Sequence, residues 1–162
     1  MTEQHLSLSP FYKGWDVYQQ CLVKAITPLT AEQLELRPAP DLWSISMLAR
    51  HIVATRVWWF HMWLGVGSSN LEPMAEWDEE GQPSRSASEI VAGLEATWEM
   101  IQNALAHWTP DDLEQVFHNP LHADRPSRSR QWIIWHLLEH DLHHGGEISL
   151  SLGIHGLGGF DL

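Results

Sequence analysis

The chain has 162 residues, 44% of them hydrophobic, with ten tryptophans, one cysteine and a formal net charge of −12. That length suits a single domain (residues 1–162) with a full-sized core, and the apolar content is too high for a disordered chain. Nine Lys and Arg against 21 Asp and Glu argue against a nucleic-acid partner, and a lone Cys21 rules out an internal disulfide or a cysteine-rich zinc site.

No apolar run is long enough to span a membrane, so no membrane partner is expected. Residues 1–5 have neither the basic start nor the apolar core of a leader peptide, which makes a cytoplasmic protein the expectation. Ser9-Pro10 reads as a helix start, and positions 11, 15, 18, 22, 25 and 26 carry the helical rhythm to a stop near Thr27-Pro28. Cys21 falls in this helix, where a small packing residue is the expected reading. Residues 28–43 hold three prolines and form a connection, with Thr30–Leu34 as a short capped turn.

A second helix begins after Trp43, capped by Ser44 or Ser46, and runs to Leu64. Positions 48, 52, 55, 59 and 62 mark its inward face, and His51 lies on the border of that face. Residues 66–84 form a loop long enough to cover a site. Ser86 or Ser88 opens a third helix, with Ile90, Val91, Leu94, Trp98, Ile101 and Leu105 in phase, ending near Thr109-Pro110. Residues 117–128 read as a short hairpin, and Ser127 or Ser129 caps a fourth helix that ends at Gly153. Four long helices without a convincing strand give an all-α four-helix bundle.

The fourth helix holds the chemistry. His136, His140 and His144 are spaced four apart and share one face. A lone histidine is more often a hydrogen-bonded core or surface residue than a ligand. A pair one turn apart, embedded in apolar sequence, points instead to a metal ion, since each imidazole needs a Zn–N distance of about 2.0–2.1 Å. In a bundle the missing ligand comes from a facing helix, and His51 fits best. His61 is too far along the same helix to join it. His107, His118 and His122 lie in loops or ends, where a surface role is expected. His136-Leu137-Leu138-Glu139-His140 also matches the inverted zinc-peptidase pattern, but such a peptidase needs a carboxylate ligand far downstream and a larger chain.

Trp43-Ser44-Ile45 leading into Leu48-Ala49-Arg50-His51-Ile52-Val53, and His140-Asp141-Leu142-His143-His144-Gly145-Gly146-Glu147-Ile148, together resemble the DinB-like (DinB/YfiT) superfamily. The resemblance covers about residues 10–155. It implies a bundle in up-down-down-up order, often homodimeric, with His51, His140 and His144 as metal ligands. Glu147 departs from the family pattern, which has glutamine there. It either orients an imidazole, binds the metal or faces solvent. His136 is extra to the pattern and is a candidate pocket wall.

Three neutral imidazoles leave an ion with open positions, which serve either thiol activation or water activation. The family's characterised branches act on low-molecular-weight thiols, so the resemblance favours an S-transferase for detoxification or stress response. A metal-dependent hydrolase and a non-catalytic metal-binding protein are the alternatives. Zinc or nickel is the expected ion, with iron or manganese also compatible with three nitrogens. A small-molecule thiol and an electrophile would be the partners. Trp59, Trp135 and the 66–84 loop are candidate pocket walls, Arg50 a candidate carboxylate holder, and Trp58 and Trp63 candidate dimer contacts.

Overall fold

The stretches with a helical rhythm form helices in a computed structural model that describes residues 6–162. The expectation that no leader is present rested on residues 1–5, which lie outside the described residues. Pro10 opens a 3-10 turn, Ser9–Tyr12, that leads into α1, Lys13–Ile26. The short α2, Ala31–Leu34, is held by a reciprocal cap between Thr30 and Gln33. Ser44 caps α3, Ile45–Arg56, which continues into a π-helical segment, Val57–Trp63. Ser86 and Glu89 form the capping box of α4, Ala87–His107, and Ser129 caps α5, Arg130–Ile154. Each such cap satisfies backbone N–H groups that the helix leaves unpaired, and is worth about 1 kcal/mol. The predicted hairpin is present in miniature, with β1, Val116–Phe117, antiparallel to β2, Arg128–Ser129.

Contacts between helices give their directions. Asp16 of α1 accepts from Trp98 and Gln102 of α4, while Gln19 donates to the Leu94 carbonyl, so α1 and α4 are antiparallel. Trp15 donates to Asp141, and Tyr18 donates to the Leu142 carbonyl and packs on Gly145, so α1 and α5 are parallel. His51 meets His140 and His144, and Trp59 meets Trp132 and His136, so α3 and α5 are antiparallel. Arg56 reaches Leu94 and Thr97 in α4, and Val53 lies against Gly93. The order is therefore up-down-down-up.

A polar knot divides the core. Arg56 and Asp141 form an ion pair of 2.7 Å with both side chains at 0% exposure. Arg56 also donates to Gln19 and the Leu94 carbonyl, and Trp15 donates to the Asp141 carboxylate. One apolar cluster, with Phe60, Ile101, Ile133 and Leu137, lies on one side. A second, with Leu22, Ile52, Leu94 and Ile148, lies on the other.

Two expectations for the second helix are corrected. Thr55, Trp59 and Met62 are only half-buried, whereas Ala49, Ile52, Val53, Arg56 and Phe60 face the core. Helix α3 is covered by α4, α5 and the 3-10 segment Ser69–Glu76 together, so its apolar positions do not confine themselves to one stripe. The widened π turn adds to the mismatch with a regular period. Trp63, expected to face away from the core, is buried at 7% exposure. Cys21 is half-buried on the outer side of α1, with its Sγ 3.7 Å from the Asp161 carbonyl.

Replacing Arg56 with Met leaves a buried carboxylate without its partner, and is expected to cost about 3–5 kcal/mol. The double change Arg56→Met with Asp141→Leu removes both charges and should recover part of that loss. Urea denaturation of the three proteins is the check; equal stability of wild type and Arg56→Met would refute this account of the core.

Candidate metal centre

The Ser44 cap starts α3 so that His51 arrives two turns later beside α5, opposite His140 and His144. His51 Nε2 and His140 Nε2 are 3.0 Å apart. The His140 and His144 rings lie 4.4 Å apart, and His51 and His144 4.9 Å. One nitrogen from each of the three falls within 4.8 Å of the others.

Carboxylates fix two of the rings. His51 Nδ1–H donates to Asp78 at 2.5 Å, and His144 Nδ1–H donates to Glu147 at 2.6 Å. A carboxylate accepts only, so each bond puts the proton on Nδ1 and leaves Nε2 with its lone pair. His140 differs, because its Nδ1 is buried without a partner among the described residues. Burial, with the neighbouring His144, His51, His136 and His143, pushes its pKa down to about 3. Burial also lowers His144, with Glu147 opposing. Both rings are held neutral, the form that binds metal. A donor set of three imidazoles, two of them backed by carboxylates, fits a divalent transition ion.

The remaining predicted residues are sorted by the same geometry. Glu147 accepts from His144 Nδ1–H, with its side chain still 44% exposed. It also lies near His143, and these three form a second, more exposed group of possible ligands. His136 stacks on Trp132 at 4.6 Å and donates to Glu139, with its ring 6.3 Å from His140. It stands beside the cluster rather than in it, so the inverted peptidase pattern does not assemble. His61, His107 and His118 have local partners, in the Val66 carbonyl, the Asn103 carbonyl and Ser127 respectively. Arg50 is buried and reaches the Pro83 carbonyl at 3.4 Å, not the cluster. Trp135 is 61% exposed and is not among the residues lining the three clefts at His51, His140 and His144.

A cleft of about 420 Å³ lies over His136, Glu139, His140 and His143, and two more flank the cluster. One, of about 340 Å³, opens onto His51 and His140 and is walled by Trp58, Trp59, His136 and Asp78. The other, of about 350 Å³, lies at His144 with Trp43, Asp41, Glu147 and Leu48. Trp43 stacks on His144, with ring centroids 6.0 Å apart, and meets His51 edge-on at 5.0 Å. The 66–84 segment covers the site as expected, bringing Ala75 and Asp78 to it. Asp78 itself had no signal in the sequence beyond one acid among several in that loop.

With this geometry in view, comparisons place the chain among known proteins. The model of the DinB superfamily matches residues 15–148. A crystal structure of a DinB-like protein from Bacillus cereus superposes with a TM-score of 0.73 at 21% identity, covering 98% of this chain and 99% of that one. A DinB-like protein from Bacillus subtilis gives 0.61 at 13% identity, over 90% of each chain. At these identities the likeness is one of fold. No curated protein matches.

Replacing His51, His140 or His144 with Ala should each lower metal occupancy strongly, while His107→Ala and His118→Ala should leave it unchanged. Elemental analysis of protein purified without an affinity tag decides this. Full occupancy in His51→Ala would remove that residue from the ligand set.

Proposed function

The chain belongs to the DinB superfamily, and on that premise we propose a metal-dependent S-transferase that joins a low-molecular-weight thiol to an electrophile. His51, His140 and His144 would hold the ion, with zinc or nickel favoured by the nitrogen donors. The observation that carries this reading is the cleft of about 340 Å³ that opens directly onto His51 and His140. A purely structural metal site has no need of such an opening. When bound, the ion would supply a positive charge that favours the thiolate over the thiol.

The chain's own residues do the rest. Asp78 and Glu147 hold the His51 and His144 rings by their Nδ1 atoms and keep the opposite nitrogens free. Trp58 and Trp59 give the cleft an apolar, aromatic wall suited to an aromatic electrophile. Among the described residues no helix is long and apolar enough to cross a membrane.

Assembly as a homodimer is part of the same proposal. With Trp63 buried, the outer face of α5 is the better-supported contact. Trp135, Leu142 and Leu150 share that face and are 61%, 46% and 60% exposed. Sedimentation is expected to give a dimer at micromolar concentration, converted to monomer by Leu150→Arg. A wild-type monomer at that concentration would overturn the assembly.

The chemical test is conjugation of chlorodinitrobenzene to a panel of thiols by metal-loaded and metal-free protein. Metal-dependent turnover with at least one thiol, lost in His140→Ala, is the expected result. Background rates with every thiol, or ester hydrolysis in the absence of thiol, would sink the transferase reading; the latter result would favour a hydrolase.

A further inference from the structure

Charge is distributed unevenly around the histidines. Asp78 lines one cleft, Asp41 and Glu147 line the other, and among the described residues no Lys or Arg lines either. The arginines on adjoining elements are engaged elsewhere. Arg56 is locked to Asp141 inside the core. Arg50 reaches the Pro83 carbonyl, and Arg85 stacks on Trp77 with its guanidinium carbon 4.1 Å from the ring centroid. Arg128 lies over Trp132 at 4.3 Å and does not line the cleft.

A divalent ion would bring two positive charges, and Asp78 and Glu147 on its ligands would offset both. A carboxylate, sulfonate or phosphate on an incoming ligand would then meet no counter-charge on the cleft walls, in a chain whose net charge is already −12. Burying an unpaired anion in that setting is costly. The walls instead include the indoles of Trp58 and Trp59 together with the Asp78 carboxylate. Indole faces attract both flat aromatic rings and cations.

We propose that the cleft between α3 and α5 selects a neutral or cationic aromatic ligand and rejects anionic ones. For a thiol ligand this rests on the transferase reading, and it then narrows the thiol or its electrophile to molecules without acidic groups. The charge selection itself rests on the cleft walls alone.

The test compares two ligands of one shape, phenyltrimethylammonium and benzenesulfonate, by isothermal titration calorimetry on metal-loaded and metal-free protein. The cation is expected to bind at least about tenfold more tightly in both forms, with the wider gap in the metal-free form. Asp78→Asn should narrow the gap, and Trp59→Leu should weaken the cation while circular dichroism shows the fold intact. Equal or tighter binding of the sulfonate, or no binding of either ligand at millimolar concentration, would overturn the proposal. A second arm uses cobalt-loaded protein and thiophenols bearing a para trimethylammonium or a para sulfonate group, read by the sulfur-to-cobalt charge-transfer band. Tighter binding of the cationic thiol supports the selection, and preference for the sulfonated thiol counts against it. Absence of the band with both thiols would refute thiol binding at the metal, and so the transferase reading, while the ammonium–sulfonate comparison still decides the charge selection.

Discussion

The ion pair between Arg56 and Asp141 sets the level of all four long helices. Both side chains are fully buried, and their partners come from every long helix, with Trp15 and Gln19 on α1, Leu94 and Thr97 on α4. Desolvating two charges is expensive, and attraction repays it only when the remaining donors and acceptors are satisfied. Here Arg56 has further acceptors at 2.8 Å and 3.2 Å, and Asp141 accepts a 2.7 Å bond from Trp15. Apolar contacts above and below this knot constrain a sliding helix only loosely, whereas hydrogen bonds have one register. Asp141 adjoins His140, and Arg56 lies five residues beyond His51. The register of the ion pair is therefore also the register of the histidines.

The knot and the cluster solve opposite electrostatic problems within a few residues of each other. In the core, full charges are buried and paired. At the cluster, His140 and His144 are kept neutral chiefly by burial, strongly so for His140. The carboxylates stand one atom layer behind, on the Nδ1 side of His51 and His144. That arrangement offers lone pairs to a cation while placing negative charge where it strengthens the donors. His140, whose buried Nδ1 has no partner among the described residues, is held by packing and by the 3.0 Å contact of its Nε2 with His51.

Much of this was legible in the sequence because it depends on local signals. The caps at Ser44, Ser86 and Ser129 and the proline-rich connections give the helices. The spacing of His140 and His144, with His51 on a facing helix, gives the cluster. What was not legible depends on long-range pairing. Asp78 reaches His51 from a loop whose path no local rule specifies. Arg56 did leave a trace, since it interrupts the apolar row Ile52, Arg56, Phe60, and Asp141 interrupts Leu137, Asp141, Ile148. A charge at an inward position implies a buried partner, but neither row names the other. The inward face of α3 was misread for a related reason: a helix covered on several sides has too little polar surface to show its phase. Trp63 and Trp135 exchanged their expected environments, because tryptophan's size and polarity do not by themselves decide between core and surface.

The topology itself supplies the roof of the site. Because α3 and α4 run parallel, the chain leaving α3 must return the length of the bundle before α4 can begin. A tight turn, sufficient between antiparallel helices, cannot make that connection. Residues 64–86 make the return, and Leu71 and Trp77 anchor them by burial against the bundle. Trp77 packs so closely on Gly93 that a Cβ there would lie 2.6 Å from its ring, so only glycine leaves the indole its place. With Trp77 seated, the next residue, Asp78, is delivered to His51. The acid that orients a histidine of the cluster thus depends on a glycine in α4 and on the direction of two helices. An up-down-up-down bundle with the same four amphipathic segments would have joined these helices by a short turn and left His51 without its carboxylate.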